Sequence, residues 1–339
     1  MPKRIGKYTL QFENQPSILG YASVVGKKES EGPLGKLFDR CHNDTSLGET
    51  TWEKAESRLQ NEAVNLALEK AGLQNTEMDC IFAGDLLNQC ISSTFGLRGL
   101  DIPFLGQFGA CSTMAQTLAM ASVFVESGAA QRAVAVTSSH FCSAERQYRF
   151  PLEYGGQRTP SAQWTATASG SAVVGSGMPK QGNKITVEAV TIGRITDLGI
   201  KDANNMGAAM APAAAQTLLD YLNDTNTKPG DYDLILTGDL GLIGSELMED
   251  LLKKEQLNIT DNHNDCGLML FDLKKQDVHA GGSGCGCSAS VLCSTILQQM
   301  SQGQLHKVLF IATGALMSPT STQQGECIPS IAHLIHLKA

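Results

Sequence analysis

The segment Asp79-Cys80-Ile81-Phe82-Ala83-Gly84-Asp85-Leu86-Leu87-Asn88 is written a second time as Asp233-Leu234-Ile235-Leu236-Thr237-Gly238-Asp239-Leu240-Gly241-Leu242. Asp79 and Asp233, Ile81 and Ile235, Gly84 and Gly238, Asp85 and Asp239, and Leu86 and Leu240 coincide without a gap. A second landmark follows each copy: Gly109-Ala110-Cys111-Ser112 recurs as Cys285-Gly286-Cys287-Ser288. Each Cys-Ser leads through a small-residue helical stretch to a basic residue and an apolar run, Arg132–Val136 and Lys307–Ile311. Matched landmarks in one order, with matched flanks, predict two similar halves, residues 1–180 and 181–339. A site can form where such halves meet.

Composition limits the rest. A chain of 339 residues with 42% hydrophobic content can bury a large α/β core or two coupled halves. The net charge of −8, with no Lys/Arg run, argues against a nucleic-acid surface. The basic start, Met1 to Gly6, leads into no apolar stretch of signal-peptide length, and no apolar run is long enough to span a membrane. The 10 cysteines then read as free thiols in a reducing compartment.

Periodicity predicts a helix over Trp52–Ala71 and a buried helix from Ser112 to Glu126, with further helices over Ala213–Leu222 and Ala289–Gln299. Strands are expected at Cys80–Ala83, Ile102–Phe108, Ala168–Val174, Ile185–Val190, Leu234–Leu236 and Ile331–Leu337. Residues 27–50 read as a loop or small insertion, and Gly177–Lys184 as the turn between halves. Alternating elements imply an α/β architecture with mostly parallel sheets. Cys111 falls where an apolar strand turns into a helix. A thiol there faces unpaired N–H groups and the positive end of the helix dipole, which lowers its pKa. A small hydrophobe filling a tight corner is the plainer alternative.

The run Gly109-Ala110-Cys111-Ser112, its small-residue helix and Ser169–Val174 together resemble the thiolase superfamily, including the chain-initiating ketoacyl-ACP synthases. That resemblance implies two βαβαβαββ halves related by a pseudo-twofold, in α-β-α-β-α layers. A narrower set of motifs is similar, nearly end to end, to the stage V sporulation protein AD family. It comprises E-G-P-L-G at Glu31–Gly35, A-G-D-L-L-N-Q at Ala83–Gln89, F-G-A-C-S-T at Phe108–Thr113 and T-S-S-H at Thr137–His140. It continues with Y-G-G-Q at Tyr154–Gln157, M-G-A-A-M-A-P-A-A-A at Met206–Ala215 and D-Y-D-L-I-L-T-G-D-L at Asp231–Leu240. H-N-D-C-G-L-M at His263–Met269 and G-G-S-G-C-G-C-S-A at Gly281–Ala289 complete it.

Thiolase-type acyl transfer needs a Cys nucleophile, a base and oxyanion donors. The loop that supplies a His in those enzymes reads Thr237-Gly238-Asp239-Leu240-Gly241 here, and the Gly282–Cys287 turn holds no His either. Asp239 is a poor substitute, because like charge disfavours a thiolate. The expectation is therefore a protein without catalytic residues or cofactor. What the resemblance implies instead is binding of dipicolinic acid (pyridine-2,6-dicarboxylate), free or as its calcium chelate, for uptake into the developing spore. Backbone N–H groups at the Cys111 helix start and in the Gly-rich turn offer an anion pocket. The candidate ligand-binding residues are Cys111, Asp85, Asn88, His140, Asp239, Ser283 and Cys285. Asp85 and Asp239 can ligate Ca²⁺ or simply cap turns, and His140 can reach the pocket or pack at a strand end. The set His263, Cys266, Cys285 and Cys287 also has zinc-type spacing, weakened because its C-x-C lies in the Gly-rich turn. His333 and His336 are expected only to pack. Residual acyl transfer by Cys111, and a ligand-free scaffold, are the competing functions. The resemblance further implies a homodimer formed along Pro103–Phe108. It also implies a cytoplasmic location at the spore inner membrane, held there by the other stage V sporulation A channel proteins rather than by insertion.

Overall fold

The computed structural model describes residues 1–149 and 158–339. The Tyr154–Gln157 motif lies outside the described residues. Five strands of the first half are β1 (Ser17–Val25), β2 (Cys80–Gly84), β3 (Phe104–Gly106), β4 (Arg132–Ser139) and β5 (Ala168–Gly175). Five of the second are β6 (Ile185–Thr191), β7 (Leu234–Thr237), β8 (His263–Asp265), β9 (Lys307–Ala315) and β10 (Ser330–Lys338). The sheets run β3-β2-β4-β5-β1 and β8-β7-β9-β10-β6, the same order under exchange of halves. They join edge to edge through Ile18–Ile185 and Ser17–Thr186. The written repeat is thus a repeat of topology.

Only three strands of each half run parallel. β2 pairs parallel with β3 and β4, and β7 with β8 and β9, while β5 and β10 return antiparallel beside them. The expectation of mostly parallel sheets is corrected to mixed ones. Antiparallel neighbours need no crossover of the sheet, so the connections from β4 to β5 and from β9 to β10 return at the same end.

The principal helices are α1 (Trp52–Ala71), α2 (Thr113–Ser127), α3 (Phe141–Arg149), α4 (Met206–Thr225), α5 (Gly241–Lys254) and α6 (Cys285–Val291). α6 continues through a π-helical turn, Leu292–Ile296, into Leu297–Ser301. Residues 27–50 hold a short helix, Lys27–Ser30, and a two-residue strand, Arg40–Cys41. α1 starts on the Thr51 hydroxyl, which accepts the Lys54 N–H, and stops at Gly72 in the left-handed conformation. α4 begins at Asn205, whose side chain accepts the Ala208 N–H, and runs through Pro212. The helix thus starts ahead of the expected Ala213, with the proline inside it.

α2 and α6 are buried between the sheets, sharing one core cluster with Phe82, Val174, Leu236 and Phe310. α6 lies close enough to β5 that a Cβ on Gly170 would sit 2.2 Å from the Ala289 carbonyl oxygen. Alanine and serine along both helices permit this approach.

β3 is shorter than expected, with Ile102 buried and Phe104, Leu105 and Phe108 39%, 44% and 46% exposed. Apolar side chains on an edge strand, paired on one side only among the described residues, mark a surface to be covered. We predict a dimer through β3, and Leu105→Lys should weaken it by at least about tenfold. Light scattering after gel filtration checks this; a wild-type monomer at all concentrations would contradict it.

Candidate functional site

Cys111 is delivered by a strained turn. Ala110 adopts φ 50°, a left-handed conformation that costs energy for any side chain beyond glycine. The turn is held by local bonds: the Ser112 hydroxyl donates to the Gly109 carbonyl at 2.6 Å, and the Thr113 hydroxyl to the Ala110 carbonyl at 2.6 Å. The Ser112 and Thr113 N–H groups donate to the same two carbonyls. The helix start expected to receive an anion therefore already spends these amides within the turn.

The Cys111 thiol is 6% exposed and packs with Leu86, Ala144 and Cys285, with Tyr148 against them. Its Sγ lies 3.9 Å from the Ser283 hydroxyl. Burial, then the neighbouring Asp239 carboxylate, hold the thiol well above its ordinary pKa. The sequence-level expectation of a lowered pKa is reversed, because the helix start is enclosed and a negative charge faces it.

Asp239 is fully buried beyond the end of β7. One carboxylate oxygen accepts the Ser283 hydroxyl at 3.0 Å and the Gly284 N–H at 2.9 Å. The other accepts the Thr313 hydroxyl at 2.8 Å. The Thr237–Gly241 loop is fixed from below by Asp265, whose carboxylate accepts the Leu240 and Gly241 N–H groups. Around Cys111 and Ser283 lies a cavity of about 50 Å³, lined also by Glu145, Tyr148, Met206 and Met317. Among the described residues no lysine or arginine lines it.

Of the candidate residues, Cys111 and Ser283 line the cavity and Asp239 stands behind Ser283. Cys285 touches Cys111 but turns its thiol to the Ser138 carbonyl at 3.0 Å. Three candidates are placed elsewhere. Asp85 caps its own turn, accepting from the Leu87 N–H and from the N–H and hydroxyl of Ser93. Asn88 is exposed at a separate surface recess beside Gln147. His140 is sealed: one ring nitrogen faces the Thr45 carbonyl at 2.9 Å, the other accepts the Cys142 N–H, and Trp52 stacks on the ring. The zinc-type set does not assemble, since the two ring nitrogens of His263 bond Thr237 and Glu249. His333 and His336 are packed, with burial holding each at about 4.

Sequence reasoning missed Glu145 and Tyr148. Their signal was present in α3, where Ala144 and Tyr148, four apart, share one face. It also missed Glu56, buried in α1, which accepts the Ser138 and Ser143 hydroxyls. Burial and the nearby Asp85 push the Glu56 carboxyl up to about 8.

A family model described as "Stage V sporulation protein AD (SpoVAD)" matches residues 6–338. Stage V sporulation protein AD of Bacillus subtilis (strain 168) is 47% identical over 331 residues, covering 98% of this chain and 96% of that protein. The 3-oxoacyl-(acyl carrier protein) synthase III of Pseudomonas aeruginosa PAO1 superimposes with a TM-score of 0.59 at 12% identity, over 96% of this chain and 98% of that one. Human mitochondrial 3-ketoacyl-CoA thiolase gives 0.58 at 12%, over 97% and 99%. These two likenesses establish the thiolase-like fold.

Glu56 gives a pH test. Its folded-state pKa, about 8, lies above the ordinary 4.5. Folding therefore favours the protonated acid, and stability falls as pH rises through that window. Glu56→Gln should remove this loss, making the variant more stable than wild type at pH 8 by a few kcal/mol, roughly, and near-equal at pH 5. Urea unfolding at both values checks it; parallel pH slopes would contradict it.

Proposed function

The chain belongs to the stage V sporulation protein AD family, and from that premise we propose a non-catalytic protein whose Cys111 cavity binds dipicolinate as its calcium chelate. The observation that carries the loss of chemistry is Asp239. A thiol becomes a nucleophile when a base or positive field draws off its proton. Here a buried carboxylate stands behind Ser283 and works in the opposite direction. The thiol is left as a neutral wall of the cavity.

The lining supports the form of the ligand. Asp239, behind Ser283, would repel a bare dianion, and no lysine or arginine among the described lining residues stands on that side to offset it. The calcium chelate of a dicarboxylate is neutral and avoids that repulsion. The Tyr148 ring and the Met206 and Met317 side chains offer a soft apolar surface for a flat aromatic ring. A cavity of about 50 Å³ holds only a few water-sized groups, so the methionines must turn aside on binding. Association should accordingly be slower than diffusion allows. No helix among the described residues is long and apolar enough to cross a membrane. In this reading the protein works beside the spore inner membrane, through protein partners of the same sporulation system.

Calorimetric titration with dipicolinate, with and without Ca²⁺, tests the reading. Binding should be at least about tenfold tighter with Ca²⁺, and Cys111→Trp should abolish it by filling the cavity while the fold persists. Cys111→Ala should change affinity much less, since the sulfur makes no specific bond to the ligand. Equal affinity in wild type and Cys111→Trp would move the ligand elsewhere, and tighter binding without Ca²⁺ would remove the chelate.

A further inference from the structure

The two halves meet along two related seams, and only one of them is filled. In the filled seam, residues 1–16 lie between the C-terminal ends of α2 and α4. Thr9–Gln11 adds as a strand to β6, opposite Thr191, Val190 and Ala189. Asp224, near the end of α4, accepts the N–H groups of Lys7, Tyr8 and Thr9 at 2.8–2.9 Å. Glu126, near the end of α2, accepts those of Glu13 and Asn14.

The pseudo-twofold exchanges β6 for β1, α4 for α1, and α2 for the helix that continues α6. The related seam therefore lies along β1, between the ends of α1 and Leu297–Ser301. It is a cleft of about 770 Å³. β1 is paired with β5 along its length, with β6 only at Ser17 and Ile18, and with Arg40–Cys41 only at Val24 and Val25. Among the described residues no strand lies against Leu19–Ala22 on that edge. Leu19, Gly20 and Tyr21 line the cleft, together with Glu69 from α1 and Gln298 and Ser301 opposite. Residues 176–184, the counterpart in sequence of residues 1–16, border the space without closing it, tied by the Asn183 N–H to the Ser301 carbonyl at 2.8 Å.

A second asymmetry falls at the same place. α2 is a regular helix from Thr113 to Ser127, whereas its counterpart carries the π-helical turn Leu292–Ile296. Cys293 and Ser294 of that turn form part of the cleft wall. Such turns interrupt regular helical bonding and concentrate at functional positions.

We propose that this cleft receives an extended segment of a partner polypeptide, added as a strand along Leu19–Ala22. The filled seam supplies the chemistry of the occupant, because there the same architecture accepts Thr9-Leu10-Gln11, a polar–apolar–polar strand. Asp39 and Glu69 balance Lys70 and Lys180 around the cleft, so backbone pairing and side-chain alternation, rather than net charge, select the segment. The cleft lies at the Gly175 end of β5, and the Cys111 region packs near the Ala168 end, so this inference stands apart from the ligand reading.

The test uses the full-length protein and fluorescein-labelled octapeptides: a set alternating Thr with Val or Leu, and one copying Lys7–Asn14 (K-Y-T-L-Q-F-E-N). At least one should bind saturably and slow hydrogen exchange within Leu19–Ala22 by about tenfold or more, since the Ser23 N–H is already held by Asp39. Ser301→Trp, which blocks the cleft, should weaken binding by at least about tenfold, and Ser301→Thr should not. Gln298→Trp serves as the blocking variant if Ser301→Trp misfolds. The proposal fails if no peptide binds, or if protection appears elsewhere. A self-association lost in the blocking variant would assign the cleft to a second copy and likewise overturn it.

Discussion

Asp239 is the interaction on which the rest of the site depends. Its carboxylate joins three pieces of chain distant in sequence: the end of β7, the Gly-rich turn at Ser283 and Gly284, and Thr313 on β9. Its own carbonyl accepts the Gln163 side chain at 2.7 Å. All of these groups are buried, so removing the carboxylate strands three donors at once, each costing about 1–3 kcal/mol. After burial, the same charge is the next cause that raises the pKa of the Cys111 thiol.

The duplicated architecture explains why the junction exists and why the halves are unequal. Each half buries one small-residue helix between two sheets, and the start of α6 reaches into the other half. A Cβ on Gly286 would lie 2.2 Å from the Ala168 carbonyl oxygen, and the Cys285 thiol points to the Ser138 carbonyl. On the opposite side, a Cβ on Gly314 would lie 2.2 Å from the Gly109 carbonyl oxygen beside Cys111. Only glycine permits these reciprocal approaches. Departures from symmetry, Asp239 with its hydroxyl donors on one side and the open cleft on the other, are where this chain has diverged from its own repeat.

Much of the fold was legible because backbone requirements leave a trace in sequence. Gly84 and Gly238 each sit where a strand meets close neighbours, and the two buried helices need alanine and serine. Helix α1 was placed to the residue by its apolar spacing and Gly72. Pro212 hid the first turns of α4, since a proline inside a helix reads as a boundary until Asn205 is seen to cap it. The site was less legible. Asp85 and Asp239 share the local sequence Gly-Asp-Leu, yet Asp85 bonds only its own turn and Ser93, and Asp239 spans three segments. That difference is set by tertiary contacts no local pattern encodes. Asn88 and His140 carry suitable chemistry on elements that end near the cavity, but their side chains satisfy other neighbours. Glu145 and Tyr148 enter the cavity because α3 turns back over Cys111, a feature of chain path rather than of motif.

The claim that Asp239 leaves Cys111 chemically silent is tested most directly by intact-protein mass spectrometry after incubation with acetyl-CoA and longer acyl-CoA. The account predicts an unchanged mass and no release of free coenzyme A above the rate without protein. A stable acyl increment that maps to Cys111 in wild-type protein would contradict it.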